Sequence, residues 1–185
     1  MLYHFPLRTT ALIVGLLLLI AHLLALWQGP RVRQWLAGFC RSRVAGIVLL
    51  TLAFVWTYWL LATMDLGEIT HLRKWFLLLL PVGYFLTMFF VDDFLSVRAL
   101  AALLLLAADP LLCAAFLRPE GGRILLVLVA YAWIVAGLFW IGLPHLLRDQ
   151  IQWVTASPGR WKLAAAGGAV YGAALVVLSL VHFQS

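Results

Sequence analysis

The sequence predicts an all-α fold, a polytopic bundle of about six membrane-spanning helices. Three observations predict it. Hydrophobic residues make up 65% of the 185 positions and charged residues only 11%. A soluble domain runs nearer half apolar and a quarter charged, and a water-soluble globule of this size cannot hide so much apolar surface. Six runs are long enough for a hydrocarbon core of about 30 Å, which needs roughly 20 helical residues. No β-barrel alternation is present, so helices must satisfy the backbone in lipid. Disordered chains, disulfide scaffolds and soluble enzymes are excluded.

The six predicted spans cover 9–27, 44–64, 75–91, 99–117, 124–143 and 163–181, read as one transmembrane unit over 1–185. The first follows Arg8 but outruns a usual signal h-region, and no clear small-x-small site follows it. It therefore reads as a span. Gln28-Gly29-Pro30 ends it. The stretch to the second span mixes Arg31, Arg33, Arg41 and Arg43 with Trp35, Leu36 and Phe39. That pattern fits either a short segment lying in the interface or a plain connecting loop. A polar stretch from Asp65 to Lys74 precedes the third span. Asp92-Asp93 breaks the third from the fourth so briefly that the pair reads as a tight hairpin or one re-entrant unit. Arg118 to Arg123 separates the fourth from the fifth. Between the fifth and sixth, His145 to Asp149 and Ile151 to Val154 again suit an interfacial segment or a loop.

Basic residues set the orientation. Arg8, Arg73, Lys74, Arg118 and Arg123 fall on one side, and eight on the other: Arg31, Arg33, Arg41, Arg43, Arg98, Arg148, Arg160 and Lys162. The richer side is expected to be cytoplasmic, with both termini outside and a bacterial inner membrane as the setting. The net charge of +6 thus serves orientation and lipid headgroups. No basic patch has the size or aromatic interleaving for nucleic acid. Trp27, Trp75, Trp153 and Trp161 lie at predicted helix ends and read as belt anchors. Cys40 and Cys113 suggest no disulfide.

Asp109 is the sharpest chemical signal. A carboxylate at bilayer depth is costly when ionised and usually faces a bundle interior or a cavity. Pro110 beside it removes one helix hydrogen bond and frees the Leu106 carbonyl. On the predicted spans Asp109 lies about 12 Å from the outer face, with Tyr58 about 9 Å, Tyr131 about 10 Å, Tyr84 about 13 Å and Tyr171 about 15 Å deep. The expectation is a polar midplane layer in which at least one tyrosine hydroxyl bonds Asp109. Such a layer serves as a structural bond between helices or as a proton or ion pathway. No other acid lies deep in a span to continue a pathway.

His22 is the candidate ligand for a haem or pigment, alone, because His145 falls about 10 Å away in depth, too far for an axial pair. The structural alternative is a bond to a neighbouring helix. At the outer face His4, His71, His182, Asp65 and Glu68 offer metal donors in a spacing that matches no metal motif and equally suits a solvated loop. No cofactor is identified by the sequence. A Gly-x-Ser-x-Gly elbow, a His-Glu-x-x-His pair and paired buried aspartates are all missing. Asp92, Asp93 and Arg98 are the interfacial groups a lipid-modifying enzyme could use.

Packing is written more plainly. Ala164, Gly168 and Gly172 recur every four residues along the sixth span, a close-approach motif. Ala130, Ala132, Ala136 and Gly137 serve the fifth, and Ala101, Ala102, Ala107 and Ala108 the fourth. The first and third spans are rich in Leu and Phe on all sides, which suggests contact with lipid or a partner. In size and helix count alone, the chain resembles the small substrate-capturing subunits of vitamin transporters. Sparse polar equipment and tiny loops point to a non-enzymatic subunit or assembly component of a larger membrane complex, with other membrane subunits or a second copy as partners. A small transporter component using Asp109 is the alternative, and an interfacial enzyme acting on a lipid a further one.

Overall fold

Among the described residues eight α-helices follow in order: α1 (Leu7–Trp27), α2 (Gly29–Phe39), α3 (Arg43–Thr63), α4 (Arg73–Phe90), α5 (Leu95–Ala115), α6 (Arg123–Gly142), α7 (His145–Thr155) and α8 (Pro158–Val181). The computed structural model describes residues 5–91 and 93–181. Six helices are long and apolar enough to cross a membrane: α1, α3, α4 with the 3-10 turn before it, α5, α6 and α8. A 21-residue helix such as α1 is about 31 Å long, which matches the bilayer core. This indicates an integral membrane protein in contact with lipid. The spans fall close to their predicted limits. The largest shift of a helix limit is at α8, which begins at Pro158 rather than 163.

Local chemistry sets the ends. Pro30 stands in the first turn of α2, where its missing N–H costs nothing. Ser42 caps α3 by accepting from the Ala45 N–H at 3.2 Å. Asp65 accepts from the Gly67 N–H at 3.0 Å, and Gly67 takes a φ of +55° that glycine adopts without strain. The Arg73 guanidinium donates to the Met64 carbonyl and closes that loop. Phe94, also at φ +55°, stands directly before α5, and α4 and α5 are separate helices.

The two basic stretches are helices rather than plain loops. α2 and α7 are short and amphipathic and lie on the same side of the bundle, called here the basic side. They touch each other and, with the start of α5, form a packed corner of Phe39, Cys40, Val97 and Leu147. Ser96, fully buried, donates to the Phe39 carbonyl at 2.7 Å.

The main core lies toward the opposite side. Leu7, Ala11 and Val14 of α1 meet Ala108 and Leu111 of α5, Leu126 and Ala130 of α6, and Leu175 of α8. Two seams build it. Along α1–α8, a Cβ at Gly172 would lie 2.6 Å from the Leu19 N, and one at Gly15 would lie 3.0 Å from the Gly172 carbonyl. Along α5–α6, a Cβ at Gly137 would lie 3.0 Å from the Ala101 carbonyl. Lipid tails are as apolar as leucine, so close backbone approach, and not hydrophobicity, selects these neighbours. Gly168 and Gly172 face α1. Ala164 does not: it is exposed, and the buried row of α8 runs through Trp161, Ala165, Ala169, Gly172 and Leu175. α1, expected to meet lipid or a partner on all sides, buries six residues in the bundle and exposes the rest of its leucines in part or fully. α4 buries none.

Candidate functional site

Asp109 stands six residues before the end of α5, about 9 Å inside that end. Its helix neighbours Ala108 and Pro110 are buried in the core, and Asp109 itself points away and is exposed. Its bond is local: the Cys113 thiol donates to Oδ1 at 3.6 Å. Pro110 cannot supply the N–H that the Leu106 carbonyl would otherwise receive. The surface of α5 therefore carries a carboxylate and a loosened backbone turn within the span.

The four tyrosines do not gather on it. Tyr171 donates to the Leu125 carbonyl at 2.6 Å and ties α8 to α6. Tyr84 pairs with Thr51 at 2.9 Å, and Thr51 donates onward to the Ile47 carbonyl at 2.8 Å. That chain ties α4 to α3, with Phe54 packed 4.7 Å from the Tyr84 ring. Tyr58 and Tyr131 are exposed. Among the described residues no tyrosine hydroxyl bonds Asp109, which corrects the expected layer at that contact. Equal depth does not give equal facing, because each helix is rotated by its own packing.

His22 makes a bond within its own helix. Its Nδ1 lies 2.7 Å from the Leu18 carbonyl. A carbonyl only accepts, so Nδ1 carries the proton in this bond. The imidazole rests on Gly168, where any Cβ would overlap the ring's Cδ2 and Nε2 atoms. The ring borders a cavity of about 410 Å³ lined also by Trp133 and Tyr171. Two residues singled out separately in the sequence, His22 and Gly168, thus form one contact.

The outer-face donors serve their own loop. Asp65 caps Gly67, and His71 Nδ1 bonds the Glu68 carbonyl at 3.1 Å. His4 and His182 lie outside the described residues, as does Asp92. No group of three or more His, Cys, Asp or Glu that could hold a metal ion occurs among the described residues. Asp93 and Arg98 are exposed.

Trp161 corrects the reading of all four tryptophans as belt anchors. Trp27, Trp75 and Trp153 are exposed, but Trp161 is buried, and its Nε1 donates to the Ala25 carbonyl at 3.0 Å. Gly15, Thr51 and Ser96 were not anticipated. The one legible hint was Gly15, a lone glycine inside a leucine-rich span. Comparison with protein-family models, curated proteins and solved structures returns no match.

Proposed function

We propose that the chain is a non-enzymatic subunit or assembly component of a larger membrane complex, and that a partner helix covers the α5 face around Asp109. One observation carries this reading: Asp109 is exposed on a membrane-length helix, and among the described residues its hydrogen-bond partner is a thiol. An acid facing lipid there costs about 2.5–3.5 kcal/mol on insertion scales. A donor from a neighbouring protein helix removes much of that cost. α4 supports the same reading, since Trp75, Phe85 and Phe89 are all exposed on a helix that buries nothing.

Gentle extraction from native membranes, native size separation and mass identification of companions test it. The expected result is a particle with stoichiometric companion chains. Asp109→Leu releases them and Asp109→Asn retains them, because the amide still accepts a hydrogen bond. A particle of this chain alone, unaltered by Asp109→Leu, overturns the proposal. A transporter with a proton step at Asp109 would instead lose its activity in Asp109→Asn.

A further inference from the structure

The two interfacial helices roof a pair of apolar grooves on the basic side. α2 divides them, because Trp35 and Leu36 line both. One groove, about 480 Å³, lies between α1, α2 and α8 and is walled by Leu24, Ala25, Val32, Trp161 and Ala165. The other, about 550 Å³, runs between α2, α3, α5 and α7. Among the described residues no carboxylate, lysine or arginine lines either one. Apart from tryptophan, the polar side chains on the walls are His22 in the first groove and Ser42 in the second; the rest is apolar and suits a hydrocarbon chain.

The charge near the first groove is of one sign. The Arg33 guanidinium lies 5.2 Å from the centre of the Trp161 ring, which forms a wall of that groove. Its Nε is buried and has no hydrogen-bond partner. Arg148 on the neighbouring helix is paired with Asp149 at 2.9 Å. Arg33 has neither an ion pair nor a hydrogen bond among the described residues. A guanidinium stacked on an indole and partly stripped of water is suited to an anion that can take two N–H bonds. Arg31, close to Arg33 in sequence, and Arg160 and Lys162, flanking Trp161, are exposed.

We propose that the groove between α1, α2 and α8 holds an acyl chain of an anionic phospholipid, with its phosphate bound by Arg33. The apolar walls take the chain, and Arg33 fixes the headgroup. The surplus of positive charge on this side selects anionic over zwitterionic lipid.

Native mass spectrometry of the purified full chain, titrated with phosphatidylglycerol or phosphatidylcholine of equal chain length, tests the proposal. The wild type is expected to retain phosphatidylglycerol at about tenfold lower concentration than phosphatidylcholine, the size of one charge-assisted contact. Arg33→Gln removes that preference. Arg33→Lys, which keeps the charge and loses the fork, leaves an intermediate one. Ala164→Phe places a ring in the groove from an exposed position and weakens both lipids. Arg8→Gln, on the opposite side, changes neither. Equal retention of the two lipids by the wild type, or an unchanged preference in Arg33→Gln, overturns the site. An equal loss in Arg8→Gln also overturns it, because bulk charge would then account for the preference.

Discussion

α1 and α4 are both membrane-length helices dense in large apolar residues, yet the bundle treats them in opposite ways. α1 buries Leu7, Thr10, Ala11, Val14, Gly15 and Ala25. α4 buries none of its residues and leans on α3 alone among the spans that contact it closely. The difference lies in the glycines. Gly15 meets the Gly172 backbone, whereas a Cβ at Gly83 of α4 would meet nothing within 4 Å. In lipid, bulk hydrophobicity holds a helix in the bilayer and a small-residue face decides whom it joins.

The largest expected effect follows from that contrast. Gly172→Leu forces α1 from α8, an overpacking that costs about 1–3 kcal/mol or more. The expected outcome is loss of a monodisperse peak on size exclusion and a lower Tm in detergent. Gly83→Leu in α4 should leave both unchanged. Equal damage from the two variants would mean that α4 has a buried face, and the contrast would fail.

Hydrogen bonds sharpen the same comparison at smaller scale. Tyr84→Phe removes the hydroxyl that joins α4 to Thr51, and Tyr171→Phe removes the one that joins α8 to Leu125. Each is expected to cost about 1 kcal/mol, the usual size of an interhelical bond in a membrane. The consequences should differ. α8 remains held by its glycine seam, so Tyr171→Phe lowers Tm with little change in local exchange. α4 has little else to hold it, so Tyr84→Phe should speed hydrogen exchange across α4 selectively. Uniform acceleration through the whole bundle would show instead that α4 and the core open together.

These contrasts explain what the sequence could disclose. Hydropathy marks six spans because lipid rewards apolar length, and the predicted limits fall within a few residues of the helices. Arginines interleaved with Trp35 and Phe39 left the stretch open between an interfacial segment and a plain loop, and it is the helix α2. Rotation about each helix axis was not legible. Counting along the expected spans puts Tyr58, Tyr84, Tyr131, Tyr171 and Asp109 in one depth band, but each azimuth is set by contacts distant in sequence, such as Gly15 with Gly172. The same limit hid Trp161, whose place at a helix end resembles a belt anchor until α1 supplies the Ala25 carbonyl. Asp109 itself was visible from residue type and depth, while its outward facing depends on which side of α5 the core claims.

The smallest expected effect concerns the basic-side corner, where packing resembles α1 more than α4. Cys40 is buried there with Phe39, Val97 and Leu147. Burial pushes its thiol up from the ordinary value, while its own backbone bond and the nearby Arg148 charge pull the other way. A raised thiol pKa leaves less thiolate near neutral pH, and thiolate is the reactive form. In a Cys113→Ala background, Cys40 should therefore alkylate more slowly than a free thiol near neutral pH, and its rate should rise only at higher pH. Arg148→Gln removes a lowering influence and should slow the reaction further. Leu147→Ala opens the corner and should speed it, because water then reaches the sulfur and the cost of forming the anion falls. Free-thiol reactivity in the unaltered corner would mean that α2 and α7 lie loosely on the bundle, as α4 does, and that the interfacial layer is not part of the packed core.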